Sequence, residues 1–504
     1  MNLKLMLGEA AKQYGEKTAV ALGECRLSYA ELDEASNKVA NALIKSGVRK
    51  GDRVAMLLPN NPDFVVIYFG VVKTGGIAVP LDVRYKVDEL ISLLNDSQPK
   101  VLVAESPFLE PLVPVLSRFT FIKQVIALGA KYERQFCNYE KIMATSSAQS
   151  VGVEPKSEDI AQIAYTSGPT SRPKGVMLSH QSLVAEAAIA SDAFQQTGKD
   201  VTMLFALPMH HIFGLVITLL TSISKGSTVV MSAGLSISSL MELIERERGA
   251  IFMGVPYTYA LIVNMAEQER VKYDLSSLRL CVSAGAALPA DIAKRFKQYY
   301  GLDIVQIWGL TEATAHVTCP PINGTGKLGS IGKVMSGWEA KIVDDNGREL
   351  PPNQPGEIIV RGPIMKGYYN NPQATAEVIK DGWLYTGDIG KIDEDDYLFI
   401  LGRNKGIIIV KGQNIYPCDI ENVLHTYPKI AEAMVVGVPD KLRGEVVRAV
   451  ISVKAGEVAS EEEIRRFCRQ RLANYKIPKQ IIFLSSLPKT ATSKSCQGDL
   501  KNMC

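Results

Sequence analysis

Over roughly its first 320 residues the chain alternates between amphipathic helical stretches and short, wholly apolar runs, and this alternation restricts the fold more than any other feature. SYAELDEASNKVANALIKSGV (28–48) carries apolar residues at helical spacing, with Ser28 placed to cap its start and Gly47 to end it. GDRVAMLLPN then reads as a buried strand ending in a turn, PDFVVIYFGVVKTGG as a helix and IAVPLD as a strand. VDELISLLNDSQPKVLVAES repeats the helix–strand unit. Further on, VTMLFALP, GSTVVMSA, GAIFMGVP and LRLCVSAGA read as buried strands separated by apolar helices. Strands that are apolar on both faces need helices on both sides, so the expected fold class is α/β with a largely parallel sheet.

From about residue 327 the texture changes. GKVMSGWEAKIVDDNGRELPPNQPGEIIVRG has short strands broken by DNG and Pro/Gly turns, as in a β-rich subdomain. After GRNKG, the segments DIENVLHTYP, AEAMVVGVPD, VRAVISVKAG, EEEIRRFCRQRL and KQIIFLSSLP alternate helix and strand again. A chain of 504 residues exceeds what one core accommodates. The expectation is therefore a large N-terminal domain over 1–402, built of two layered α/β lobes plus a β-rich subdomain at about 327–402, and a small, mobile α+β domain over 403–504.

With 46% hydrophobic and 22% charged residues, a large core is available. A net charge of only +3 gives no case for a nucleic-acid partner. None of the eight cysteines forms a C-x-x-C pair and no histidine cluster lies near them at zinc spacing, which fits free thiols in a reducing compartment. MNLKLMLGEAAKQYGEK lacks the apolar run of a signal peptide, no segment has the length of a membrane span, and KNMC is neither a prenylation box nor a peroxisomal tripeptide, so a cytoplasmic location is expected. Oligomeric state is left open, a homodimer included.

The first chemical signal is YTSGPTSRPKG at 165–175. Five hydroxyl residues and Gly168 precede Lys174, directly after the apolar run DIAQIAYT. Hydroxyls and backbone N–H groups bond phosphate oxygens, and a lysine neutralises them. The spacing is not that of Walker A, and on residue types alone such a run is more often an ordinary surface loop. The stretch resembles the signature loop of the adenylate-forming superfamily, which contains acyl-CoA synthetases, luciferases and peptide-synthetase adenylation domains. That resemblance assigns Thr166, Ser167, Gly168, Thr170 and Lys174 to the ATP phosphates. Pro169 stands where Ser or Thr is usual and Ser171 where Gly is usual, removing a hydroxyl, a backbone N–H and a flexible position. The double change Pro169→Thr with Ser171→Gly should lower the KM for ATP or raise kcat; unchanged constants would remove the idea.

The resemblance runs from LSYAEL near residue 27 to PKTATSK ending at 494, with the motifs in family order. LPMHHIFG (207–214) is similar to the element that puts His211 at the wall of the acyl pocket, in a positioning or gating role; His210 falls where the family is apolar or aromatic and stays unassigned. SAGAALP (283–289) resembles the segment packed on adenine, which implies Gly285 and Ala286 there. QIWGLTEA (306–313) implies that Trp308 stacks on adenine beside Gly309, that Thr311 bonds the α-phosphate and that Glu312 holds Mg²⁺. WLYTGDIG implies Asp388 on both ribose hydroxyls, and GRNKG implies Arg403 on the ribose and Lys405 as the hinge. VKGQNIYPCDIE implies Lys411 and Gly412 along the CoA arm, and PKTATSK implies Lys494 between carboxylate and α-phosphate. Ser493 replaces a usual Gly, and the tail SCQGDLKNMC departs from that of relatives.

The implied activity is an ATP- and Mg²⁺-dependent acid–CoA ligase that forms acyl-AMP and pyrophosphate and then passes the acyl group to coenzyme A. Small and apolar residues in His211–Leu215, Gly254–Tyr259, Ser283–Ala286 and Ala313–Val317 favour a medium- or long-chain fatty acid, with a benzoate- or cinnamate-type acid second. An amino-acid-adenylating domain is disfavoured, because HHIFGL offers no acid to hold an amine. Two rival functions would use the same motifs: an adenylating enzyme that delivers to a carrier protein or to oxygen, and a non-catalytic acyl-nucleotide binder.

Overall fold

The computed structural model describes residues 1–132, 135–166, 174–232, 234, 236–268, 273–322, 326–327, 329–403, 408–410, 413–415, 417–440, 444–472 and 476–487. Helix Tyr29–Lys45 begins where the sequence placed it: Ser28 accepts from the Glu31 N–H while the Glu31 carboxylate accepts from the Ser28 N–H, a reciprocal capping box. Helix Pro62–Lys73 starts on the Asn61 cap with proline at its first position and is buried from Phe64 to Lys73.

Two large sheets carry the N-terminal domain. The first is eight-stranded. Ile77–Leu81, Arg53–Leu57, Val101–Glu105 and Gln124–Leu128 are parallel neighbours, and Ile160–Thr166 joins Ile77–Leu81. Ile160–Thr166 and Lys174–Ser179 form an antiparallel hairpin at its other end. The second sheet is seven-stranded, in the order Ile304–Gln306, Leu280–Ser283, Ile251–Gly254, Val201–Leu204, Thr228–Met231, Thr18–Leu22, Cys25–Ser28. All of its pairs are parallel except the last. Fully buried helical residues such as Phe64, Tyr68 and Phe69 cover the sheets, as α/β layering requires.

The β-rich stretch forms a five-stranded antiparallel sheet around Gly356–Arg361 and Trp383–Ile392. One strand of this stretch, Gly367–Tyr368, departs from it and pairs with Lys174–Ser179 at the edge of the first sheet. The smaller C-terminal domain has its own core, with Ile420, Leu424, Val435, Ala449, Ile451 and Ile464 buried. No helix among the described residues is long and apolar enough to cross a membrane.

Glu421 in that small domain is held by a single described hydrogen bond, accepted from the Val435 N–H at 2.8 Å. Burial pushes its carboxyl up to about 7, against the backbone bond that lowers it. A carboxyl raised in the folded state stabilises fully below its unfolded pKa and loses that contribution as pH rises toward 7. Glu421→Gln should therefore flatten the loss of C-terminal-domain stability between pH 5 and 8 by on the order of 2 kcal/mol. Thermal unfolding of both proteins at the two pH values measures it, and parallel pH slopes would refute it.

Candidate active site

Four strands of the second sheet, Val201–Leu204, Ile251–Gly254, Leu280–Ser283 and Ile304–Gln306, run parallel. The segments leaving their C-terminal ends therefore emerge on one edge, the place where open α/β sheets bind ligands. Residues 205–215, 254–259, 283–289 and 307–319 all emerge there, so the segments expected to wall the acyl pocket share an edge with those expected to hold adenine.

Segment 207–214 is fixed from the opposite lobe: the Asn60 amide donates to Leu207 O at 2.7 Å and its Oδ1 accepts from the Met209 N–H at 2.8 Å. A Cβ on Gly214 would lie 2.5 Å from Pro208 O, so this turn closes only on glycine. His211 Nδ1 accepts from the Phe213 N–H at 3.2 Å, which suits a positioning role within the turn. His210 has a partner that the sequence did not reveal: its Nε2 lies 3.3 Å from Asp82 Oδ2. Arg84 grips the same carboxylate through Nε and Nη2. Burial opposes ionisation of Asp82, but the hydrogen bonds from His210 and Arg84 outweigh it and hold the carboxyl well below the usual carboxylate range.

The turn after Ile304–Gln306 doubles back on itself. Trp308 bridges Thr318, and the Val317 N–H donates to Trp308 O at 2.8 Å. Thr311–Ala313 makes one 3₁₀ turn, followed by Thr314 at φ 60°. Gly309 lies where the two limbs touch; a Cβ there would collide with Ala315 O. The Ile307 N–H donates to Ser283 O at 3.0 Å, tying this turn to the loop that holds Gly285, at φ 86°, and Ala286. Gly285 and Ala286 are both exposed.

The hydroxyl-rich run lies in the chain between the antiparallel strands Ile160–Thr166 and Lys174–Ser179. Thr166 pairs with Lys174, and Ser167, Gly168 and Thr170 lie outside the described residues. Lys174 Nζ stands 4.6 Å from the centre of the Tyr368 ring, and the Tyr368 hydroxyl donates to Glu312 Oε1 at 2.9 Å. Burial, reinforced by the neighbouring Glu312 carboxylate, raises the Tyr368 phenol, so it remains a donor. Tyr368 thus links two predicted site residues, and sequence reasoning missed it. The available signal was KGYYN, an aromatic pair ahead of the Asn371-capped helix Pro372–Val378.

Asp388 is 4% exposed and accepts from Trp308 Nε1–H at 2.9 Å. The indole expected to stack on adenine is therefore oriented by the carboxylate expected to hold the ribose. Register sets Arg403 directly across from Asp388 on the neighbouring strand. A cavity of about 250 Å³ is lined by Leu310, Glu312, Glu357, Tyr368, Lys380 and Gly387 among others. Lys405, Lys411, Gly412 and Lys494 fall outside the described residues.

Residues 7–369 match the AMP-binding enzyme family, and residues 419–494 match the AMP-binding enzyme C-terminal domain. The long-chain-fatty-acid–CoA ligase of Bacillus subtilis (strain 168) is 34% identical across 98% of this chain and 92% of its own length. The feruloyl-CoA synthase of an Amycolatopsis species is 35% identical across 97% of this chain and 96% of its own length. Among solved structures, ATP-bound MatB from Rhodopseudomonas palustris superposes with a TM-score of 0.91 at 29% identity, covering 99% of this chain and 98% of that one. The anthranilate–CoA ligase AuaEII in complex with anthranoyl-AMP superposes with a TM-score of 0.92 at 28% identity, covering 99% and 96%. Similarity at this level, sustained along nearly the whole chain, shows that the protein belongs to the adenylate-forming AMP-binding enzymes and is an acyl-CoA synthetase.

Proposed function

We propose that the cleft between the Thr166–Lys174 hairpin, the 307–319 turn and Asp388 is where this ligase joins a medium- or long-chain fatty acid to ATP. One observation carries the reading: Lys174, Tyr368 and Glu312 stand in a contact chain, and Trp308 and Asp388 are hydrogen-bonded to each other. The first set has the chemistry to neutralise phosphates, and the second to hold a base and a ribose.

In the first half-reaction an acid oxygen attacks the α-phosphorus and pyrophosphate leaves. A carboxylate is already nucleophilic above its pKa, so His211 positions and does not abstract a proton. Thr311 bonds the α-phosphoryl oxygens, while Lys174 and the rest of the 166–174 loop take up the charge on the departing pyrophosphate. Lys494 bridges the carboxylate and the α-phosphate. Among the described residues no group of three or more His, Cys, Asp or Glu side chains is arranged to hold a metal ion. Glu312, a hard oxygen donor, would hold Mg²⁺, which would supply charge neutralisation at the phosphates. In the second half-reaction the C-terminal domain turns about Lys405, Lys411 and Gly412 line the CoA arm, and the thiolate displaces AMP from the acyl carbonyl.

The fatty acid is favoured by the wholly buried apolar segment Phe213–Leu220, which follows His211. An aryl acid is the second reading, supported by the similarity to feruloyl-CoA synthase and the anthranilate–CoA ligase. The described cysteines Cys25, Cys137, Cys281, Cys319 and Cys468 are free, which suits a cytoplasmic enzyme. Pyrophosphate release across a panel of alkanoic, benzoic and cinnamic acids, with CoA and a phosphopantetheinyl carrier protein as rival acceptors, tests the reading. Turnover with C8–C16 alkanoates and CoA is expected; turnover only with aryl acids, or only with the carrier, would replace it.

A further inference from the structure

The helix that follows the phosphate hairpin, His180–Ala193, buries a carboxylate that the mechanism above does not use. Glu186 is 0% exposed. Its Oε1 lies 2.8 Å from His316 Nδ1 and also accepts from the His316 N–H at 3.2 Å. Its Oε2 accepts from Trp338 Nε1–H at 2.9 Å. His316 and Trp338 are themselves buried, at 2% and 6% exposure, and the His316 ring stacks on Phe194 with centroids 5.4 Å apart. Neither ring nitrogen of His316 makes a hydrogen bond among the described residues, so the donors that hold Glu186 are the His316 backbone N–H and the Trp338 indole N–H, with the imidazole packed close against the carboxylate.

These contacts join three separate parts of the site. Glu186 belongs to the helix continuing from Lys174–Ser179, whose first residue closes the phosphate loop. His316 lies in the limb of the turn that presses on Gly309, just beyond Thr311 and Glu312. Trp338 precedes Glu339–Val343, the first strand of the β-rich sheet. A buried carboxylate left without donors is costly, so the two N–H donors on Glu186, one from each of the other two segments, constrain all three segments together.

We propose that Glu186, acting through His316 and Trp338, is a positioning residue for adenylation: it fixes the register of Thr311 and Glu312 against the phosphate hairpin. This rests on the function proposed above. A shift of about 1 Å in groups that act on developing charge lowers turnover about 10²-fold, and more than it weakens ground-state binding.

The test uses the full chain with Glu186→Ala, Glu186→Gln and Trp338→Phe. It reads kcat and the KM for ATP of acid-dependent pyrophosphate release, together with amide hydrogen exchange across 308–318. The expected result for Glu186→Ala is a kcat loss of about 10²-fold, an ATP KM within about threefold of wild type, and faster exchange confined to the turn. Glu186→Gln retains an acceptor for Trp338 and should recover most of kcat. Should the alanine variant not fold, Trp338→Phe decides by the same readouts, with a kcat loss of about tenfold expected. A folded Glu186→Ala or Trp338→Phe enzyme with wild-type kcat, or one whose loss lies wholly in KM, would overturn the inference alone. A wild-type enzyme that released no pyrophosphate with any acid would overturn the proposed function and this inference together.

Discussion

Gly309→Ala should give a protein whose C-terminal domain and first sheet remain folded but whose acid-dependent pyrophosphate release falls by about 10²–10³-fold. The cause is backbone against backbone. The added Cβ would lie 2.7 Å from the Ala315 carbonyl carbon and closer still to Ala315 O and His316 Cα, and none of these can rotate aside. The limbs are pinned next to the clash by the Trp308–Thr318 bridge and by the Val317 N–H on Trp308 O, so relief requires the turn to open as a unit. Opening it displaces Thr311 and Glu312 and pulls Trp308 away from Asp388. Overpacking of this kind costs about 1–3 kcal/mol, a modest share of the stability of a large domain, so activity should fall well before the fold does. Thermal unfolding and pyrophosphate release on the same preparation measure both. A variant with near wild-type turnover would mean that this turn adapts, and that the glycine contributes nothing through close approach.

This glycine also marks where sequence reasoning stopped. The motif placed Gly309 among nucleotide-binding residues; the structure gives a reason internal to the turn, contact between limbs six residues apart that no local pattern displays. The α/β layering was legible because a strand buried on both faces must be largely apolar, and Val201–Leu204, Ile251–Gly254 and Leu280–Ser283 are, with Thr202 and Ser283 as the polar exceptions. The start of the first long helix was legible because Ser28 and Glu31 are three residues apart and cap each other locally. Periodicity records which face is buried but not which strand lies alongside. The order that brings Thr228–Met231 between Val201–Leu204 and Thr18–Leu22 was therefore out of reach, as was the pairing of Gly367–Tyr368 with the phosphate hairpin. The same holds for polar partners. Tyr368 on Glu312, Glu186 on His316 and Trp338, and Asp82 on His210 all join positions far apart in the chain, and each residue alone reads as solvated or structural. Asp388 and Trp308 were each identified from their motifs, but the hydrogen bond between them needed coordinates.

Lys494→Ala should abolish the first half-reaction and largely spare the second. The residue lies at the end of PKTATSK, within the stretch matched to the AMP-binding C-terminal domain. Its proposed work is done while charge builds between the incoming carboxylate and the α-phosphoryl oxygens, a situation that exists only during adenylation. Loss of one preorganised cationic donor at such a centre lowers the rate by about 10²–10³-fold, so acid-dependent pyrophosphate release should drop by that factor. In the thioester step the phosphorus–oxygen bond to pyrophosphate is already gone, the attacked atom is the acyl carbon, and the proposed domain rotation about Lys405 would have withdrawn the lysine. Thioester formation from supplied acyl-AMP should consequently stay within a few-fold of wild type. Lys494→Arg retains the charge but spreads it over a planar fork, and should recover adenylation only in part. The split between the two assays carries the argument. An equal loss in both would mean that the lysine maintains the domain or the AMP site generally, and undiminished pyrophosphate release would move the catalytic amine to another residue.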